Sequence, residues 1–277
     1  MDAIAWVKEA DALFELGNYH EAVGFYDKGL ESDPSNAKLW NSRGLALCHL
    51  GRYKEALASF DMALEIDPRY TDAWNNKGVV LYKQGKYEEA IIYFDKIIET
   101  RPKYTKAWYN KGVVLDRTGK HLEAIEHYDK TLELNPDGAK VWSNKGAALG
   151  NLGRYEEAID CFDKALVLRP ESAEAWNNKG AALGKLHRYD EAAEYFHQAV
   201  EMNPRYSEAW YNKGEVLRRQ DKYAEAIENL DRAMEIEPQH AKAWNSKGLA
   251  LRALGRDAEA DVAFARAVVQ ETFKNGD

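Results

Sequence analysis

The stretch TDAWNNKGVVLYKQGKYEEAIIYFDKIIETRPKY, residues 71–104, is followed directly by the related stretch TKAWYNKGVVLDRTGKHLEAIEHYDKTLELNPDG, residues 105–138. The tryptophans near the two starts are 34 residues apart, and this interval holds along the whole chain. A constant spacing of the largest side chains is typical of an array of repeated units. The eight tryptophans are Trp6, Trp40, Trp74, Trp108, Trp142, Trp176, Trp210 and Trp244.

Each unit carries the same pattern after its tryptophan, as Gly78, Leu81, Ala90, Phe94 and Pro102 show after Trp74. The tryptophan, glycine and leucine fall on one face of a helix, and the alanine and aromatic residue fall on one face of a second helix. The pattern therefore predicts two amphipathic helices per unit, with proline ending the second. A glycine suited to a left-handed helix end lies between the two helices in six units: Gly17, Gly51, Gly85, Gly119, Gly153 and Gly255.

One helix pair cannot cover its own apolar face, whereas stacked pairs build a continuous core. The sequence therefore predicts an all-α fold in which residues 1–277 form one domain of eight helix pairs. Small residues at fixed core positions should let neighbouring helices cross closely, with an aromatic ring filling the space they leave. The expected repeats are approximately 3–36, 37–70, 71–104, 105–138, 139–172, 173–206, 207–240 and 241–274.

The recurring Trp, Gly, Leu, Ala, aromatic and Pro positions resemble the tetratricopeptide repeat family. This resemblance covers nearly the whole chain and implies a right-handed superhelical solenoid of antiparallel helix pairs, with the first helices lining a concave groove. It also implies a protein–protein interaction scaffold or adaptor. One departure is a cation three residues after the tryptophan, where the family usually has an apolar residue. These cations are Arg43, Lys77, Lys111, Lys145, Lys179, Lys213 and Lys247.

Composition narrows the class of protein. The net charge of −8 argues against general affinity for nucleic acid, which needs a basic surface. No apolar run is long enough to span a membrane, and the first residues do not resemble a secretory signal. Cys48 and Cys161 form no pairing motif and are expected to be reduced thiols. A cytoplasmic location is the resulting expectation.

The sequence offers no candidate catalytic group. His121 and His127 do not share a helical face and have no metal-ligand neighbours at suitable spacing. The glycines form no phosphate-binding loop and are accounted for by turns and helix crossings. We therefore expect a protein that is not an enzyme and binds no cofactor or metal.

A row of asparagines lies two residues after the tryptophans, on the opposite helix face. Asparagine is a poor helix former, so its recurrence suggests a role other than helix stability. A carboxamide offers a donor and an acceptor, which is what an extended peptide backbone requires. The resemblance likewise implies an asparagine ladder that holds ligand backbone. This asparagine row comprises Asn76, Asn110, Asn144, Asn178 and Asn212.

Charged side chains on the same helix face include ten cations and five acids. A basic stripe in an acidic chain favours an acidic peptide segment as the ligand. Two helices also present small residues that should leave the groove floor bare, namely Ala147, Gly150, Ala181 and Gly184. The cations expected to contact the peptide, here called the cation set, are Lys83, Lys106, Arg117, Lys140, Lys185 and Arg219.

Several alternatives remain open at this stage. The asparagines could bond within the protein, and the chain could be a structural solenoid that self-associates end to end. It could also be the substrate-gripping part of a larger enzyme. The carboxylate clamp of chaperone-binding relatives is matched only in part, by Asn76 with Lys106 or Asn110 with Lys140.

The cations three residues after the tryptophans are expected to form structural ion pairs with recurring aspartates. Asp129 is the partner expected for Lys111.

Overall fold

The computed structural model describes residues 3–274, and side chains from residue 4 to residue 270. Over this range it contains sixteen helices and no strand, which confirms the predicted all-α fold of repeated helix pairs. The first eight helices are α1 (Ala3–Glu15), α2 (Tyr19–Ser32), α3 (Ala37–His49), α4 (Tyr53–Ile66), α5 (Thr71–Lys83), α6 (Tyr87–Thr100), α7 (Thr105–Arg117) and α8 (His121–Leu134). The next eight are α9 (Ala139–Asn151), α10 (Tyr155–Leu168), α11 (Ala173–Lys185), α12 (Tyr189–Met202), α13 (Ser207–Arg219), α14 (Tyr223–Ile236), α15 (Ala241–Ala253) and α16 (Asp257–Lys274).

The helices group into two compact units, Met1–Pro136 and Asp137–Asp277. In each unit, a helix packs mainly on its partner within the repeat and on the first helix of the next repeat. Successive first helices also contact each other, as α3 contacts α5 in the first unit and α11 contacts α13 in the second. The union of all eight repeats in one domain stays a prediction.

The turn between the two helices of a repeat is a left-handed helix end. In the second repeat, Gly51 has a φ of 72°, its N–H donates to the Cys48 carbonyl, and the Arg52 N–H donates to the Leu47 carbonyl. This pair of bonds satisfies carbonyls that the helix end would leave unpaired. His187 and Asp221 replace the glycine in two turns and adopt the same conformation, each with a φ of 60°.

Close helix crossing depends on the glycine four residues after each tryptophan. A Cβ atom built on Gly112 would lie 2.7 Å from Cε1 of Tyr128, and one on Gly78 would lie 2.7 Å from Cε1 of Phe94. Real Cβ atoms do not approach other atoms this closely. The structure therefore confirms that the ring of the second helix occupies the space left by the missing side chain.

The tryptophans are only half buried, and several of them connect one repeat to the next. In these repeats the indole Nε1–H donates to the carbonyl oxygen of the proline six residues earlier, at 2.7 Å from Trp176 to Pro170 and 2.8 Å from Trp40 to Pro34. The tryptophan and the proline of the pattern therefore hold the loop between repeats.

The ion pairs of the recurring cations cross the repeat boundary. Lys111 Nζ lies 2.6 Å from Oδ1 of Asp95, which belongs to the preceding repeat, so the expectation that Asp129 is its partner is wrong. The pairing follows from packing, because within each unit a first helix lies against the second helix of the repeat before it. Equivalent pairs are Arg43–Asp27, Lys77–Asp61, Lys179–Asp163 and Lys247–Asp231.

Candidate functional site

The asparagine row lies where successive first helices meet, and three of its members donate hydrogen bonds within the protein. In the first unit, Asn76 Nδ2 donates to Oδ1 of Asn41 at 2.9 Å, and Asn110 Nδ2 donates to Oδ1 of Asn75 at 2.8 Å. In the second unit, Asn212 Nδ2 donates to Oδ1 of Asn177 at 3.0 Å. Part of each carboxamide therefore stabilises the stacking of repeats.

The acceptors of these bonds are asparagines one residue after a tryptophan. Asn41, Asn75 and Asn177 are buried, at 5%, 7% and 4% exposure. A buried carboxamide needs partners, and the next repeat supplies one. Asn177 Nδ2 also approaches Oδ1 of Asn178 at 3.4 Å. The sequence analysis did not recognise these inner asparagines as partners of the row, although their recurrence one position earlier was a usable signal.

The internal bonds leave hydrogen-bonding capacity on the row. A primary carboxamide has two N–H donors and an oxygen with two lone pairs, and the bond to the preceding repeat uses one donor. All five side chains of the row are half exposed. The internal bonds of Asn76, Asn110 and Asn212 also fix the direction in which their remaining groups point.

Most of the cation set carries no ion pair. Lys83, Lys106, Arg117, Lys140 and Lys185 are exposed, and none of them lies within ion-pair distance of an acid among residues 4–270. Arg219 is the exception, because its Nε lies 3.0 Å from Oε1 of Glu215. Two acids of the same face are engaged by other side chains: Asp72 accepts from the Tyr104 hydroxyl at 2.6 Å, and Asp116 contacts His121 at 2.7 Å.

A cavity of about 470 Å³ in the second unit brings four of the predicted site residues together. Gly184, Lys185, Asn212 and Arg219 all line it, between α11 and α13. The aromatic side chains of Tyr189 and Tyr211 line the same cavity, and sequence analysis did not predict them. A smaller cavity of about 220 Å³ joins Lys140 and Asn144, with Ser143, Arg169 and Glu174 in its wall.

The predicted floor residues leave open space. A Cβ atom built on Gly150 would meet no atom within 4 Å, and one on Gly184 would meet only Cγ2 of Val216, at 3.9 Å. Neither glycine is therefore required by packing, unlike the glycines at the helix crossings. Ala147 and Ala181 are half exposed on the same face of α9 and α11.

Glu215 is the one acid in the wall of the larger cavity. Burial alone would raise the pKa of its carboxyl, but hydrogen bonds from Arg218 and Ser246 and the charges of Arg218 and Arg219 hold the pKa below its ordinary value. Glu215 is therefore ionised and already neutralised. Burial, followed by the charge of Glu215, raises the pKa of Tyr211, so its hydroxyl stays protonated and can donate.

Among the described side chains, residues 4–270, no three of His, Cys, Asp or Glu are grouped so as to hold a metal ion. Cys161 is buried and Cys48 half-buried, both as free thiols, and burial raises the pKa of Cys48 to about 11. No helix of the described part of the chain has the length and apolar character needed to cross a bilayer.

Stacked helix pairs with a polar first-helix face and small open cavities define a repeat scaffold. Sequence models of the tetratricopeptide repeat match residues 7–71, 71–104, 105–137, 139–172, 161–194, 179–239 and 221–274. The chain belongs to the tetratricopeptide repeat family. Its proteins are generally non-enzymatic scaffolds that bind protein or peptide partners.

Solved structures give similar matches. The crystal structure of MamA is 28% identical, covers 60% of this chain and 97% of its own, and superimposes with a TM-score of 0.55. YrrB, described as a tetratricopeptide repeat protein with an unusual peptide-binding site, is 24% identical over 68% of this chain and 97% of its own, with a TM-score of 0.56. A tetratricopeptide repeat protein from Parabacteroides merdae is 15% identical over 90% of this chain and 98% of its own, with a TM-score of 0.68. The last two show the fold alone. Comparison with curated proteins gave no match.

Proposed function

We propose that the chain binds an extended, acidic polypeptide segment along the first-helix face of each unit. The observation that carries this proposal is the occurrence of exposed cations without ion-pair partners beside half-exposed carboxamides. In the first unit the residues are Asn76, Asn110, Lys83, Lys106 and Arg117. In the second unit they are Asn144, Asn178, Asn212, Lys140 and Lys185, and Arg219 joins them as a cation that is paired with Glu215.

The carboxamides contact the ligand backbone. An extended peptide presents N–H and C=O groups at regular intervals, and the donor and acceptor capacity that remains on Asn76, Asn110 and Asn212 matches them. Because internal bonds already orient Asn76, Asn110 and Asn212, little side-chain entropy is lost when the ligand binds. Because these contacts are made to the peptide groups of the ligand and not to its side chains, many ligand sequences can bind.

The cations select acidic ligands. When an exposed lysine has no ion pair in the free protein, no such pair has to be broken before a ligand carboxylate can bind to it. The chain as a whole is acidic, at −8, so the unpaired cations are a local feature of this face. Opposite charges across an interface favour encounter and suppress unsuitable partners.

The open floor at Gly150 and Gly184 gives the ligand room. The cavity of about 470 Å³ beside Gly184 is large enough for a side chain, and its wall carries Lys185 and Arg219. We assign this cavity to an acidic side chain of the segment, held between the two cations.

The test uses two pools of blocked 15-residue peptides, one built from Asp, Glu, Gly and Ser and the other with Lys and Arg in place of the acids. The acidic pool is expected to bind the wild type more tightly. The variants Lys83→Ala with Lys106→Ala, and Lys140→Ala with Lys185→Ala, should each weaken binding about threefold to tenfold, as expected for exposed charge pairs.

The matched control removes two exposed lysines elsewhere, Lys54→Ala with Lys120→Ala, so that net charge changes equally. This control should retain wild-type affinity. Equal binding of the two pools, or equal loss in the control and in the site variants, would reject the proposal. Circular dichroism confirms that each variant remains helical.

A further inference from the structure

Several tryptophan rings are covered by a cation of the chain itself. In the first repeat, Lys28 Nζ lies 4.6 Å from the ring centroid of Trp6 and 4.9 Å from that of Phe25. In the third repeat, Lys96 Nζ lies 5.9 Å from Trp74 and 5.4 Å from Tyr93. An ammonium group at these distances is attracted by the electron-rich faces of the rings.

The sixth repeat has the same two rings without the lysine that lies beside them in the first and third repeats. The ring centroids of Trp176 and Tyr195 lie 5.4 Å apart, and the ring planes are tilted by 31°. This geometry is close to that of Trp6 and Phe25, which are 5.5 Å apart and tilted by 44°. The position that carries lysine in the first and third repeats is Gln198 here.

No other cation of the described chain replaces it. Among the side chains of residues 4–270, no lysine or arginine lies over the Trp176 ring. Lys179 covers the Tyr195 ring only: its Nζ lies 4.2 Å from that ring centroid, donates to the Tyr195 hydroxyl at 2.7 Å and pairs with Asp163. Lys77 has the same place in the third repeat, 4.9 Å from the Tyr93 centroid, and there Lys96 lies over the ring in addition. Lys213 lies over Trp210 and 3.3 Å from Nδ1 of His197.

Open space marks the position of the missing cation. A cavity of about 310 Å³ is lined by Trp176, Glu194, Tyr195, His197 and Gln198, and we call it the slot. Glu194 is exposed, and it forms no ion pair with another described residue. The slot therefore combines two aromatic rings with an available carboxylate.

We propose that the slot binds the cationic side chain of a lysine or arginine presented by a partner polypeptide. The first and third repeats show which group fits between two such rings, and Glu194 supplies the opposite charge. Trp176 and Asn178 are two residues apart on α11, so the slot lies on the opposite helix face from the asparagine row. The site is thus separate from the one proposed for acidic segments, and it takes a ligand of opposite charge.

The probe is the blocked peptide acetyl-Gly-Lys-Gly-amide, compared with a twin that has norleucine in place of lysine. Binding is followed by the NMR signal of the Trp176 Nε1–H, assigned by its loss in Trp176→Phe. The lysine peptide should shift this signal with an affinity about twofold to thirtyfold higher than its neutral twin, the range expected for a cation over aromatic rings. Equal shifts with both peptides would overturn the proposal.

The decisive variant is Gln198→Lys, which supplies the missing cation from within. Lysine already occupies this position in four other repeats, as Lys28, Lys96, Lys130 and Lys164, so the variant is compatible with the fold. Binding of the lysine peptide should be lost in Gln198→Lys and retained in Gln198→Met, which copies Met62 of the second repeat. Undiminished binding in Gln198→Lys contradicts the proposal. Lys140→Ala with Lys185→Ala should leave the slot unaffected, which separates this result from the test of the acidic ligand.

Discussion

Two glycines of α9 lie four residues apart in one helix and differ in their surroundings. A Cβ atom built on Gly146 would lie 2.7 Å from Cε1 of the buried Phe162 ring, whereas one built on Gly150 would meet nothing within 4 Å. The first glycine is required by the helix crossing. The second weakens the helix without a packing reason, because glycine loses more conformational freedom than alanine on folding.

The two alanine substitutions should therefore change stability in opposite directions. Gly146→Ala should lower the free energy of unfolding by about 1–3 kcal/mol through overpacking against Phe162. Gly150→Ala should raise it by about 1 kcal/mol through helix propensity. Urea unfolding followed by circular dichroism measures both, and the same sign for the two variants would show that the crossing tolerates a methyl group.

Glu215 should make stability depend on acid pH. Because its folded pKa lies below the unfolded value, the carboxylate stabilises the protein above the ordinary glutamate pKa, and this contribution disappears as pH falls through the folded pKa. Glu215→Gln should thus be less stable than wild type by about 1 kcal/mol at pH 7, with the difference shrinking towards pH 3. Unfolding at pH 7, 5, 4 and 3 tests this. The exposed Glu228→Gln is the control, and a difference that persists unchanged at pH 3 would contradict the assignment.

Successive first helices are joined by paired carboxamides, with Asn75 of α5 accepting from Asn110 of α7. Asn75→Ala and Asn110→Ala should not be additive, and the double-mutant cycle should give a coupling free energy of about 0.5–1.5 kcal/mol. Asn75→Ala combined with Asn229→Ala of α14 is the additive control. A coupling of zero for the first pair would mean that this bond does not stabilise the stacking.

The helix pairs and their turns could be predicted from the sequence because each depends on local chemistry. The glycines of the left-handed turns recur at a fixed spacing in the sequence, and so do the glycines that face a ring, as Gly78 faces Phe94. The partner of Lys111 could not be predicted this way, since Asp95 and Asp129 both lie at recurring positions and only packing between repeats chooses Asp95. The internal bond of Asn110 escaped prediction for the same reason. Tyr189 stands thirteen residues after its tryptophan, where most repeats have tyrosine, so its recurrence was visible but did not show that it lines a cavity. Tyr211 has a tyrosine counterpart only in Tyr109, so no periodic signal marked it.

On the scale of the whole molecule, net charge and local charge have opposite signs. The chain has a net charge of −8 but carries exposed cations without ion pairs on the first-helix faces. An acidic ligand is therefore attracted at short range by these cations and repelled at long range by the net charge. Salt screens exposed charges, with a Debye length of about 30 Å at 0.01 M and about 10 Å at 0.1 M. Because the binding contacts are short, the local attraction should dominate.

The affinity for the acidic peptide pool should therefore fall as the salt concentration rises from about 0.02 M to about 0.3 M. Calorimetry at several salt concentrations measures this, and affinity that rises with salt would contradict it.

The most direct measurement is the NMR spectrum of the asparagine side-chain NH₂ groups, recorded with and without the acidic peptide pool. Asn110 and Asn212 each have one proton bonded to the preceding repeat and one proposed to contact ligand backbone. The account predicts that, in both residues, the second proton shifts on binding while the first changes little. Binding of the pool without any shift of these carboxamides, and with shifts confined to other surfaces, would contradict it.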